Sequence, residues 1–127
     1  MSLRERDVAA GAPWDRPFHG QLDRLVVESE PLAGNPLADP AHRPLWIYLP
    51  PGMERDHPKP LPSVHVIPGY TGQLGMWTNR VPSEPTFLER LDHVFATGDC
   101  PDAVVVLVDT WTSYGGSQFV DSSSTGP

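Results

Sequence analysis

The sequence predicts an α/β fold, and three observations carry that expectation. Four short apolar runs are separated by turn chemistry, the last two runs are apolar almost throughout, and one helical pattern lies between them. Residues 1–17 mix charge, Gly, Pro and Ala without a period and read as an N-terminal arm. The remainder, 18–127, has room for one modest domain, which at this size buries roughly two-thirds of its unfolded surface.

The first strand is expected from the pattern Leu22, Leu25, Val26, Val27 after Gly20, ending before the prolines Pro31, Pro36 and Pro40. Leu45-Trp46-Ile47-Tyr48-Leu49 is aromatic and β-branched and stops at Pro50-Pro51-Gly52, so it forms a second strand, antiparallel to the first. The third run, Val64-His65-Val66-Ile67, and the fourth, Ala103 to Val108, read as strands covered on both faces. Between them Phe87, Leu88, Leu91, Val94 and Phe95 recur on one helical face. Ser83 is the expected cap, Pro85 suits the first turn and Gly98 ends the helix. Strand, helix and strand make a βαβ unit with a right-handed crossover.

Composition excludes several classes of function. With 16 acidic against 9 basic side chains the net charge is −7, a poor match to nucleic acid or an anionic membrane surface. No run approaches the roughly 20 apolar residues of a membrane helix, and the charged start lacks an apolar signal core, which points to the cytoplasm. Cys100 stands alone, so no internal disulfide forms. The five histidines show no metal-ligand spacing, and neither a metal nor a cofactor is expected. His65, inside an apolar run, reads as a hydrogen-bonded core residue.

Chemistry concentrates after the third run, at Pro68-Gly69-Tyr70-Thr71-Gly72. Two glycines past the carboxyl end of a parallel strand let the backbone turn sharply and aim N–H groups at a negative oxygen, where open α/β sheets bind ligands. The absence of Gly-Lys-Ser/Thr and of G-x-G-x-x-G argues against a nucleotide site.

Taken together, "PLWIYLPPGM", "SVHVIPGYTG" and "VVLVDTWTSYGGSQF" resemble the N-terminal half of the esterase branch of the α/β hydrolases. That branch includes carboxylesterases, formylglutathione hydrolases, enterochelin esterases and mycolyltransferases. The resemblance implies half of an α/β-hydrolase sheet, with strands in the order 1-2-4-3 and the third left as an edge. It also implies a small-molecule ester or thioester substrate and an oxyanion-hole N–H at Tyr70 beside Gly69. Thr71, Gly72, Trp77, Trp111 and Ser117 would shape the substrate entrance. Many relatives carry His-Gly where this chain has Pro68-Gly69, a departure that leaves the Tyr70 N–H in place.

Gly115-Gly116-Ser117-Gln118-Phe119 nearly matches the G-x-S-x-G of a nucleophile elbow. Ser117 nevertheless lies several residues past its strand, with Phe119 in place of the second glycine, so it reads as a substrate-side loop serine. In the resembled family the serine, acid and histidine come later in the chain, which places the triad beyond Pro127 and makes these residues an inactive N-terminal portion. Asp109, at a strand end, reads as a loop anchor with an acid role as its alternative. A different class of function is a complete small module whose tryptophans and glycine loops hold a sugar or peptide. On the incomplete-sheet reading the chain is marginal and prone to aggregate.

Overall fold

The computed structural model describes residues 3–5, 14–53, 60–117, 119–121 and 123. His57, Gln118, most of the N-terminal arm and Pro127 lie outside the described residues. The elements are β1 (Leu3–Glu5), β2 (Gln21–Glu28), β3 (His42–Leu49), β4 (Ser63–Val66), a 3₁₀ turn (Leu74–Thr78), α1 (Phe87–Thr97), β5 (Val104–Val108), β6 (Trp111–Thr112) and β7 (Gly115–Gly116). A five-stranded sheet runs in the order β1-β2-β3-β5-β4, and β6 with β7 forms a separate two-stranded ribbon.

Strands β1, β2, β3 and β5 pair antiparallel in succession, and β4 pairs parallel to β5 with Val64 opposite Val105. A parallel pair needs a crossover, and α1 supplies it. Strand β3 takes in Pro44, which lies one residue beyond the β5 pairing and so has a neighbouring strand on one side only. That is where a sheet tolerates a residue without an N–H.

The helix begins at Thr86, whose hydroxyl accepts the Glu89 N–H while the Glu89 carboxylate accepts the Thr86 N–H, a reciprocal capping box. Ser83, the cap expected from sequence, instead occupies a turn with φ of 65°. Gly98 closes the helix in the left-handed conformation, φ 75°. The helix covers one face of the sheet, where Tyr48, Leu74, Leu88, Val105 and Leu107 form the core, and the Phe95 ring stacks on Tyr48 at 5.7 Å.

The fold class expected from sequence is corrected. The described chain is mostly sheet with one α-helix, and it is not an α/β-hydrolase fragment. The error has a physical source in the two apolar runs that read as covered on both faces. In β5, burial alternates along the strand, Val105 and Leu107 being buried and Val104, Val106 and Val108 half-buried. In β4 only Val66 is half-covered; Val64 is 50% exposed and His65, read as a core residue, is exposed. A run of apolar residues identifies a strand but not the number of its covered faces.

Candidate functional site

The loops that follow β4 and β5 meet at one end of the sheet. After β4 the chain turns at 68–72, where Pro68 is buried and the Gly72 N–H donates to the Gly69 carbonyl at 2.9 Å. Gly72 is confined: a Cβ there would fall 2.8 Å from Met76 Sδ and 2.9 Å from Pro68 Cβ. Thr71 is exposed, as is the Tyr70 side chain.

After β5 the β6-β7 ribbon folds back onto this turn. The Gly116 N–H donates to the Tyr70 carbonyl at 2.5 Å, and the Ser117 N–H donates to the Thr110 carbonyl at 2.7 Å. At Gly116 a Cβ would lie 2.8 Å from both the Gly69 oxygen and Tyr70 Cα, and Gly115 holds φ at 105° against the Tyr70 ring. The two glycines that suggested a nucleophile motif are thus accounted for by close backbone approach to the 68–72 turn. Among the described residues the Tyr70 N–H donates to no protein acceptor.

Ser117 lines a pocket of about 230 Å³ with Thr110, Trp111 and Phe119. Its Oγ accepts the Phe119 N–H at 3.0 Å, and no histidine lines the pocket among the described residues. The pocket wall is built by an ion pair that the sequence did not reveal. Arg43 Nη2 meets Asp109 Oδ2 at 2.6 Å, with both side chains largely covered, and the same guanidinium donates to the Trp111 carbonyl. Asp109 therefore anchors the loop.

Asp39 secures the tip of the ribbon. Its carboxylate accepts the Ser113 N–H at 3.1 Å and the Ser113 hydroxyl, and those bonds, assisted by the Arg43 charge and opposed by burial, hold its carboxyl below the usual carboxylate range. Asn35 shapes the preceding loop, donating to the Leu32 and Asp39 carbonyls and accepting the Leu37 and Asp39 amides. The signal for these residues was present as turn chemistry around Asn35-Pro36 and Asp39-Pro40. The partners of Arg43 and Asp39 lie about seventy positions away, where no local pattern reaches.

The structure brings Gly69, Tyr70 and the Ser117 loop together, with Trp111 on the pocket wall, and keeps Trp77 apart. Trp77 packs against the core, its ring 4.6 Å from that of Phe87, and its buried Nε1 has no partner among the described residues. Trp46 lies beneath the Arg24 guanidinium at 5.0 Å. Among the described residues no group of three or more His, Cys, Asp or Glu side chains is arranged to hold a metal ion. No helix among them is long and apolar enough to cross a membrane. Comparison with protein-family models and with curated proteins finds no match to this chain.

Proposed function

We propose that this chain carries the oxyanion-binding turn of a serine-type esterase or acyl transferase acting on a small-molecule ester or thioester. In this reading the Tyr70 N–H, next to Gly69, donates to the oxygen that becomes negative as the acyl carbon turns tetrahedral. The observation that supports it is the clamped turn. The Tyr70 carbonyl accepts the Gly116 N–H and the Gly72 N–H closes the turn onto Gly69, while the Tyr70 amide donates to no acceptor among the described residues. A donor fixed before reaction needs little reorganisation when charge develops.

Ser117 borders the substrate rather than attacking it, because its hydroxyl accepts the Phe119 N–H and, among the described residues, no imidazole lines its pocket to take its proton. The nucleophile, its acid and its histidine are assigned outside the described residues. Among the described residues Trp46 and Trp77 pack against the core, Trp14 is exposed away from the Ser117 pocket lining, and Trp111 alone of the tryptophans lines that pocket, which favours this reading over a sugar- or peptide-binding module.

The test is hydrolysis of p-nitrophenyl butyrate by the protein expressed from its natural reading frame. Gly116→Ala, which drives a methyl group into the Gly69 oxygen and Tyr70 Cα, should lower kcat by on the order of 10²-fold with KM little changed. Ser117→Ala should stay within about twofold of the parent. Loss of all turnover in Ser117→Ala, or unaltered kcat in Gly116→Ala, overturns the assignment.

A further inference from the structure

A cavity of about 570 Å³ lies between the segment 16–19 and α1, lined by residues that are absent from the Tyr70 turn and the Ser117 pocket. Its size falls within the roughly 300–1,000 Å³ of small-molecule sites. Pro17, Phe18, Pro85 and Val94 give it apolar walls. Val94 was expected on the covered face of the helix, yet it is 40% exposed and faces this groove.

The charged side chains around the groove differ in how they are engaged. Glu89 is already held by Arg80 at 2.6 Å and by the Thr86 and Arg16 amides. Asp92 accepts from the Gly20 and His19 amides, the His19 ring and the Tyr48 hydroxyl. Arg90 is paired with Glu84 at 2.5 Å. Both carboxylates in the groove wall thus have their donors, whereas the Arg16 guanidinium makes no ion pair among the described residues. Arg16, without an ion pair among the described residues, lines the groove alongside its apolar residues.

We propose that this groove binds a small monoanionic carboxylate with an apolar body, its carboxylate on Arg16 and its body against Phe18, Pro85 and Val94. A guanidinium fork matches a carboxylate in geometry, and a single guanidinium matches a single negative charge. The inference is independent of the esterase reading, since it uses none of the same residues.

The probe is 2-naphthoate, titrated into isotopically labelled protein and followed by amide chemical shifts. Saturable shifts centred on Phe18, His19 and Val94 are expected, with 2-naphthamide binding about threefold or more weakly. Arg16 is exposed, so Arg16→Gln should retain the parent spectrum while abolishing the preference for the acid over the amide. Three results would overturn the proposal: no saturable shift in this groove at millimolar naphthoate, equal binding of acid and amide to the parent, or tighter binding of doubly charged phenyl phosphate than of benzoate.

Discussion

The Tyr48 hydroxyl donates to Asp92 Oδ1 at 2.8 Å, joining the fully buried end of β3 to the middle of α1. The same carboxylate holds the Gly20 and His19 amides, so strand, helix and the entry to β2 are tied through one side chain. A buried carboxylate is tolerated only when its lone pairs are satisfied, and four donors achieve that here. Tyr48→Phe removes one donor and leaves three, so it should cost about 1–2 kcal/mol. Asp92→Ala orphans the buried hydroxyl and both amides together and should cost roughly 3 kcal/mol. Urea midpoints of the two variants against the parent check the order; equal losses would show that the hydroxyl carries the contact alone.

Acid should unfold the protein through Asp92 and Glu89. Burial pushes the Asp92 carboxyl up, but the Gly20 and His19 amides, the His19 ring and the Tyr48 hydroxyl outweigh it and leave the group below its ordinary value. The Arg80 guanidinium, opposed by burial and aided by the Thr86 and Arg16 amides, holds Glu89 at about 2. Both groups are more acidic folded than unfolded, so on acidification the unfolded chain takes up protons first. Their contribution is complete above about pH 5 and is lost as pH falls through about 4 towards 2. Thermal midpoints measured across that window should decline, and Glu89→Gln should flatten part of the decline. A midpoint unchanged down to about pH 3 contradicts the assignment.

The Arg43–Asp109 pair should behave as a unit. Each side chain is largely withdrawn from water, at 16% and 10% exposure, so removing either one strands the other's charge. Arg43→Met or Asp109→Leu alone should each cost roughly 3 kcal/mol, with the double variant costing far less than the sum. Arg43 also donates to the Trp111 carbonyl, so the Arg43 variant should in addition loosen the β6-β7 ribbon. Hydrogen exchange at Gly116 and Ser117 distinguishes the two effects, since loosening of the ribbon is expected only where Arg43 is lost.

Local chemistry was legible in the sequence wherever cause and effect lie close in the chain. The runs around Leu25, Ile47, Val64 and Val106 all form strands, the periodic stretch from Phe87 forms a helix, and Gly98 ends it in the one conformation that favours glycine. The cap was misplaced by three residues: Thr86 has Glu89 three positions on, the capping-box pattern that Ser83 lacks, and the Thr86 N–H donates to the Glu89 carboxylate to realise it. The fold class failed for a different reason, since burial depends on what is stacked above a strand, and no residue in β4 encodes that. At the site, the glycine turn was visible but the function of Gly115 and Gly116 was not. Their requirement comes from the backbone of Tyr70, about 45 residues earlier.

Strand β4 leaves an apolar edge at the margin of the sheet, and that edge should govern aggregation. It pairs with β5 on one side, it ends the strand order, and Val64 and Ile67 are each at least half exposed. Backbone groups with no strand partner among the described residues, beside exposed β-branched residues, present a template for a further strand from another molecule. Val64→Lys places a charge on that strand while removing little buried surface, so stability should change by no more than about 0.5 kcal/mol. The aggregation rate, followed by light scattering at constant protein concentration, should fall severalfold, and Ile67→Lys should act in the same direction. Lysine at the exposed position 94 of α1 serves as the comparison, because it alters net charge equally without touching the edge. If Val94→Lys slows aggregation as much as Val64→Lys does, net charge and not the edge of β4 sets the rate.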